Sequence, residues 1–193
     1  MKSASVILAP GFEEGEALTI VDILRRAQLR CDLVGFSQQV EGAHHITVQC
    51  DHTLDSGLSE YDMVILPGGL PGAFNLRDNP KLIEELQQQA AKGSYICAIC
   101  AAPIVLDRAG LLQSRHYTAY PGYEEKISDG IYLDKSVVID GKIVTSRGPA
   151  TAYAFAYQLA ELLGGDAEAV KQRMVYDHAF EEKEESVWHA QQY

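Results

Sequence analysis

Short blocks of unbroken apolar residues alternate along this chain with longer stretches in which apolar positions recur every three or four residues. Residues 5–9 form the first block, closed by Pro10-Gly11, and residues 17–27 carry Leu18, Val21, Ile23 and Leu24 with Arg25 and Arg26 near the end. The pattern predicts a strand, a loop and an amphipathic helix, because apolar runs of strand length suit a buried sheet and terminal cations favour the helix dipole. Residues 31–35 repeat the strand pattern, and residues 46–48 predict a short strand by alternation. Residues 63–66 end in Pro67-Gly68-Gly69, a helix is predicted over 80–92, and residues 95–99 form the next apolar strand. Continuously apolar strands alternating with helices imply an α/β fold with a mostly parallel central sheet.

The pattern changes later in the chain. Residues 136–139 and 142–145 flank Asp140-Gly141, which predicts an antiparallel hairpin. Helices are predicted over 151–163 and 167–175, separated by Gly164-Gly165. From about residue 181 a charged extension, Glu181-Glu182-Lys183-Glu184-Glu185, precedes the single tryptophan, Trp188, and reads as a solvated helix or a frayed end. With neither repeats nor a long linker, residues 1–193 read as one domain.

Composition narrows the function classes. A formal net charge of −11 argues against nucleic acid as the main partner and against an anionic membrane surface. No apolar stretch reaches membrane-spanning length and residues 1–5 lack a signal-peptide pattern, so a cytoplasmic protein is expected. In that reducing setting Cys31, Cys50, Cys97 and Cys100 read as free thiols. One CxxC pair and scattered histidines supply no metal-ligand spacing, so neither a metal nor another cofactor is expected. Cys97 and Cys100 have the spacing of a redox pair, but the place of Cys97 inside a strand favours burial.

Chemistry concentrates where strands end, because ligands of open parallel sheets bind beyond the carboxyl ends of the strands. Residues 10–16 offer Glu13, Glu14 and Glu16, residues 67–72 offer glycine-exposed N–H groups, and at residues 100–103 an apolar strand turns abruptly toward a helix. A thiol at such an elbow faces helix N–H groups, which predicts easier ionisation than in a free cysteine. The alternative reading makes Cys100 a small buried hydrophobe. The three glutamates likewise read either as site carboxyls or as the acidic start of a helix. The Pro67–Gly72 segment lacks the Gly-Lys-Ser/Thr ending of a phosphate loop and reads as a turn with accessible donors.

Four motifs, in order, resemble the ThiJ/PfpI superfamily and, within it, the branch of the Parkinsonism-associated protein deglycase and bacterial ThiJ-like proteins. They are Ala9-Pro10-Gly11-Phe12-Glu13-Glu14-Gly15-Glu16, Leu66-Pro67-Gly68-Gly69, Ala98-Ile99-Cys100-Ala101-Ala102-Pro103 and Thr145-Ser146-Arg147-Gly148-Pro149. The resemblance implies a flavodoxin-like three-layer sandwich and a homodimer with the site close to the interface. Carried over by position, it makes Cys100 the nucleophile, Glu16 the carboxyl that hydrogen-bonds it, and the N–H groups of Gly69 and Ala101 an oxyanion pocket. Ala101 stands where the protease and amidase branch has a histidine, and Tyr120 stands before Pro121 where the deglycase branch commonly has one. Tyr120 is therefore a candidate pocket residue that donates hydrogen bonds but is a poor base near neutral pH. His44 aligns with a family arginine that reaches the neighbouring site. The resemblance implies a cofactor-independent glyoxalase or deglycase acting through Cys100 on small reactive carbonyl compounds or glycated adducts. The alternative is an oxidative-stress sensor or redox-regulated chaperone using oxidation of the same cysteine, while Ala101 weakens a cysteine hydrolase.

Overall fold

Strand β1 (Ser3–Leu8) is buried along its whole length, which requires a sheet covered on both faces. The computed structural model that shows this describes residues 2–179, so the charged extension expected from about residue 181 lies outside the described residues. After β1 come α1 (Glu14–Arg26), β2 (Arg30–Gly35), β3 (Gln39–Glu41), β4 (Thr47–Gln49), β5 (His52–Thr53) and β6 (Met63–Leu66). Helices α2 (Gly72–Arg77) and α3 (Pro80–Ala91) lead to β7 (Tyr95–Ile99), α4 (Pro103–Arg108), β8 (His116–Tyr117) and β9 (Ile131–Tyr132). Strands β10 (Val137–Asp140) and β11 (Ile143–Ser146) precede α5 (Ala152–Leu162) and α6 (Ala167–Arg173).

Seven strands form the main sheet in the order β10-β11-β7-β6-β1-β2-β5. Every pairing in it is parallel except that of β10 with β11, the hairpin predicted around Asp140-Gly141. Alternate strand residues feed two cores. Val6, Leu8, Ile65 and Ile99 pack with Ile20 of α1, Phe155 of α5 and Val170 of α6. On the other face Ile7, Val64, Leu66 and Ile96 meet Leu76 of α2, Leu86 of α3 and Val105 of α4. The result is the expected three-layer α/β sandwich. Among the described residues no helix is long and apolar enough to cross a membrane.

Three local expectations are corrected. Helix α1 starts at Glu14 rather than residue 17, because two acidic residues in its first turn extend it, so Glu16 is helical rather than part of a loop. The strand expected over 46–48 is displaced to Thr47–Gln49 and pairs with β3 in a separate ribbon, outside the main sheet. Finally, the helix after the cysteine elbow has only six residues, too few for a large dipole at Cys100.

Candidate active site

Parallel register brings the carboxyl ends of β6 and β7 side by side, with Leu66 opposite Ala98. The chain then turns sharply at Cys100, whose φ of +64° is left-handed and costs about 1–2 kcal/mol in a residue other than glycine. The strain is held from both sides. Cys100 N–H donates to the Ser146 carbonyl at 3.0 Å, and the Cys100 carbonyl accepts from Tyr120 N–H at 2.9 Å. Small neighbours permit this geometry, since Ala101 and Ala102 are almost fully enclosed. The thiol itself is half-buried, whereas Cys31, Cys50 and Cys97 are buried.

Glu16, on the first turn of α1, is fully buried. Its Oε2 accepts from Gly68 N–H at 2.7 Å, while Oε1 has no conventional hydrogen-bond partner. Burial pushes the carboxyl up to about pH 7, with the charge of Glu13 adding to the effect and the Gly68 N–H and the Cys100 thiol opposing it. A protonated Oε1 would turn the orphaned oxygen into a donor, which accounts for its tolerance in an enclosed site. Gly68 makes the approach of the two acids possible: a Cβ there would stand 2.6 Å from Cys100 Cβ and 3.0 Å from both Cys100 Sγ and Glu16 Oε2.

The expectation of an easily ionised resting thiol is overturned. Burial pushes Cys100 up, and the charge and hydrogen bond of Glu16 add to the rise; the N–H groups of Ala101 and Gly69 pull the other way. Both N–H groups named from the sequence thus point at the sulfur. The pair holds one proton tightly, and a thiolate forms most readily when that proton rests on Glu16. Gly69 is held by close backbone approach, because a Cβ there would lie 2.4 Å from Glu13 N and 2.5 Å from the Gly11 carbonyl oxygen.

Tyr120 reaches the elbow through its main chain, and its ring is 46% exposed beside Gly148. Edge-on to it at 6.3 Å lies Tyr123, which is nearly buried. Burial raises the Tyr123 phenol above its usual range, and Cys100 and Tyr120 add to the rise. His116 is held elsewhere, its Nδ1 being 3.1 Å from Asp140.

The acidic run before α1 divides by role. Glu14 is buried; its Oε1 accepts from His44 N–H at 2.7 Å and Ile46 N–H at 3.4 Å, and its Oε2 lies 3.0 Å from His44 Nδ1. It thereby staples the β3–β4 turn to the start of α1. Burial opposes ionisation of Glu14, yet His44 and the N–H groups hold its carboxyl below the ordinary range, and the same contact raises His44. Among the described residues, Glu13, Glu14 and His44 alone bring three metal-ligand atoms within 4.8 Å of one another. Glu14 is already satisfied there by hydrogen bonds, and His44 pairs within its own chain. Sequence reasoning missed this staple and the part of Gly68; the glycine doublet directly after an apolar strand was the available signal for the latter.

This elbow, its buried carboxyl and the doubly covered sheet define a class of protein. The chain belongs to the DJ-1/PfpI family, which it matches over residues 2–162. It is 40% identical over 169 residues to Protein dj-1beta of Drosophila melanogaster, covering 85% of this chain and 90% of that protein. To the Caenorhabditis elegans protein named glutathione-independent glyoxalase DJR-1.2 it is 37% identical over 172 residues, again covering 85% of this chain and 90% of that protein. The crystal structure of Drosophila melanogaster DJ-1beta matches with a TM-score of 0.87 at 38% identity, over 90% of this chain and 97% of that one.

Proposed function

We propose that this protein is a cofactor-independent glyoxalase or deglycase in which Cys100 attacks a small reactive aldehyde and Glu16 moves the protons. The observation that carries the reading is the buried Glu16 carboxyl, poised near pH 7 beside the elbow thiol. A general acid and base works best when its pKa lies near the working pH. The relative named as a glutathione-independent glyoxalase supports the same substrate class.

For a 2-oxoaldehyde, Glu16 takes the thiol proton while sulfur adds to the aldehyde carbon, and the N–H groups of Gly69 and Ala101 face the developing oxyanion. Glu16 returns the proton to that oxygen, giving a hemithioacetal. The carboxylate then removes the hydrogen on the former aldehyde carbon and delivers it to the adjacent carbon, while the hydroxyl proton passes between the two oxygens. The product is a thioester, which water cleaves to a 2-hydroxy acid and the free thiol. One water is consumed and no external oxidant or reductant is needed. Tyr120 flanks the entry as a hydrogen-bond donor, and a homodimer belongs to this reading.

The test is to incubate the pure protein with methylglyoxal and detect lactate stereospecifically. Turnover should vanish in Cys100→Ala and fall at least about 100-fold in Glu16→Leu, the scale of a lost general base. Turnover that persists in Cys100→Ala would end the proposal.

The same carboxyl favours a second reading, oxidative sensing. A protonated Glu16 can donate a hydrogen bond to a Cys100 sulfinate, so peroxide treatment followed by intact-mass analysis should show stable dioxidation in wild type and Glu16→Gln but not in Glu16→Leu. Identical oxidation in all three would remove that reading.

A further inference from the structure

One phenol beside the elbow has no part in the chemistry above. Tyr123 is only 9% exposed, yet its hydroxyl makes no hydrogen bond among the described residues. Nor is that oxygen sealed in, since the enclosed side-chain oxygens without a partner are those of Ser5, Glu16 and Thr118. A buried tyrosine ordinarily gives its O–H a partner, so a nearly buried phenol left open at its polar end points to a ligand. The main chain sets the residue close to the cysteine: the Cys100 carbonyl accepts from Tyr120 N–H at 2.9 Å, and the Tyr120 carbonyl accepts from Tyr123 N–H at 2.9 Å. The ring belongs to the same apolar cluster as Ala101 and Ala102, against which Cys100 also packs. Tyr120 stands edge-on to it at 6.3 Å, and the Lys126 ammonium lies 4.3 Å from its centroid. These contacts hold the ring and leave the hydroxyl free. Its raised pKa, to which Cys100 contributes, keeps it a protonated donor at neutral pH.

The inference rests on the glyoxalase reading and deepens it. A 2-oxoaldehyde brings two adjacent oxygens to the site. The aldehyde oxygen faces the N–H groups of Gly69 and Ala101 once sulfur has added, whereas the ketone oxygen still lacks a donor. We propose that Tyr123 donates its O–H to that second oxygen and thereby selects adjacent dicarbonyl compounds over simple aldehydes. The hydrogen bond breaks no covalent bond and leaves the proton balance of the reaction as it stands. When Glu16 removes the hydrogen from the former aldehyde carbon, negative charge moves onto the ketone oxygen, so the same donor binds more strongly in the transition state. Tyr123 suits this role better than Tyr120, because its enclosure keeps water from competing for the bond while Tyr120 is 46% exposed.

Reversible addition of an aldehyde to Cys100 slows its alkylation by iodoacetamide, so protection reads binding without requiring turnover. Methylglyoxal and propanal differ by the ketone oxygen, and comparing each between wild type and Tyr123→Phe cancels their different intrinsic reactivities. In Tyr123→Phe the methylglyoxal concentration for half-protection should rise about three- to tenfold, the scale of one lost hydrogen bond, while that for propanal stays within about twofold. Lactate formation should fall at least about 100-fold, the scale of a lost donor to a developing oxyanion. Circular dichroism verifies that the variant is folded. Unchanged protection by methylglyoxal would overturn the proposal. So would an equal loss for both aldehydes, which would make Tyr123 a support of the elbow alone. A loss confined to methylglyoxal, in a protein that forms no lactate, would uphold this recognition and remove the glyoxalase reaction.

Discussion

Replacing Glu16 by Gln reads the buried carboxyl through stability rather than activity. Glutamine keeps an oxygen to accept from Gly68 N–H and an N–H donor in place of the acid's O–H, but it does not titrate. In the native chain burial lifts the Glu16 pKa from 4.5 to about 7. Ionising it in the folded state therefore costs about 3 kcal/mol more than ionising it in the unfolded chain. The protonated form is the one the fold favours, so its stabilising contribution is complete below pH 4.5 and is lost as pH rises through about 7. Urea unfolding of wild type and Glu16→Gln across this range cancels the titration of all other groups. The two curves should coincide at the acidic end, and Glu16→Gln should become more stable by about 3 kcal/mol at about pH 8. A stability difference that stays constant with pH would refute the raised carboxyl and the proton relay built on it.

The other expectations test the packing around the pair. Gly68→Ala drives a Cβ to 2.6 Å from Cys100 Cβ, so unfolding should become easier by about 1–3 kcal/mol and Cys100 alkylation should slow; unchanged behaviour would contradict the close approach. Glu14→Ala strands the N–H groups of His44 and Ile46 and should cost about 1–3 kcal/mol, with faster hydrogen exchange at both positions. Iodoacetamide should label Cys100 first, because its thiol is partly exposed at the elbow whereas Cys31, Cys50 and Cys97 are buried and out of reach; comparable labelling of Cys31 or Cys50 in the folded protein would refute this. With no adjacent histidine at Ala101, turnover of unstructured peptides should be absent, and peptidase activity abolished by Cys100→Ala would contradict it.

The sequence by itself determined the elements whose signal is local. Strands β6 and β7 fall where the apolar runs end at Pro67 and Cys100, the hairpin turns at Asp140-Gly141, and α5 stops before Gly164. Alternation of buried strands with helices was enough for a covered parallel sheet, because each pattern repeats within a few residues. Tertiary structure decided the electrostatics of the site. Glu16, Gly68 and Cys100 are far apart in sequence, and only the parallel register of β1, β6 and β7 puts them together. The local picture of a helix N-terminus favouring a thiolate gave way to burial and a neighbouring carboxyl, both non-local quantities. The same reason separates Glu14 from Glu16: two residues apart on one helical turn, one meets the N–H groups of a distant hairpin and stays ionised, while the other is fully buried beside the elbow thiol and has its pKa raised to about 7.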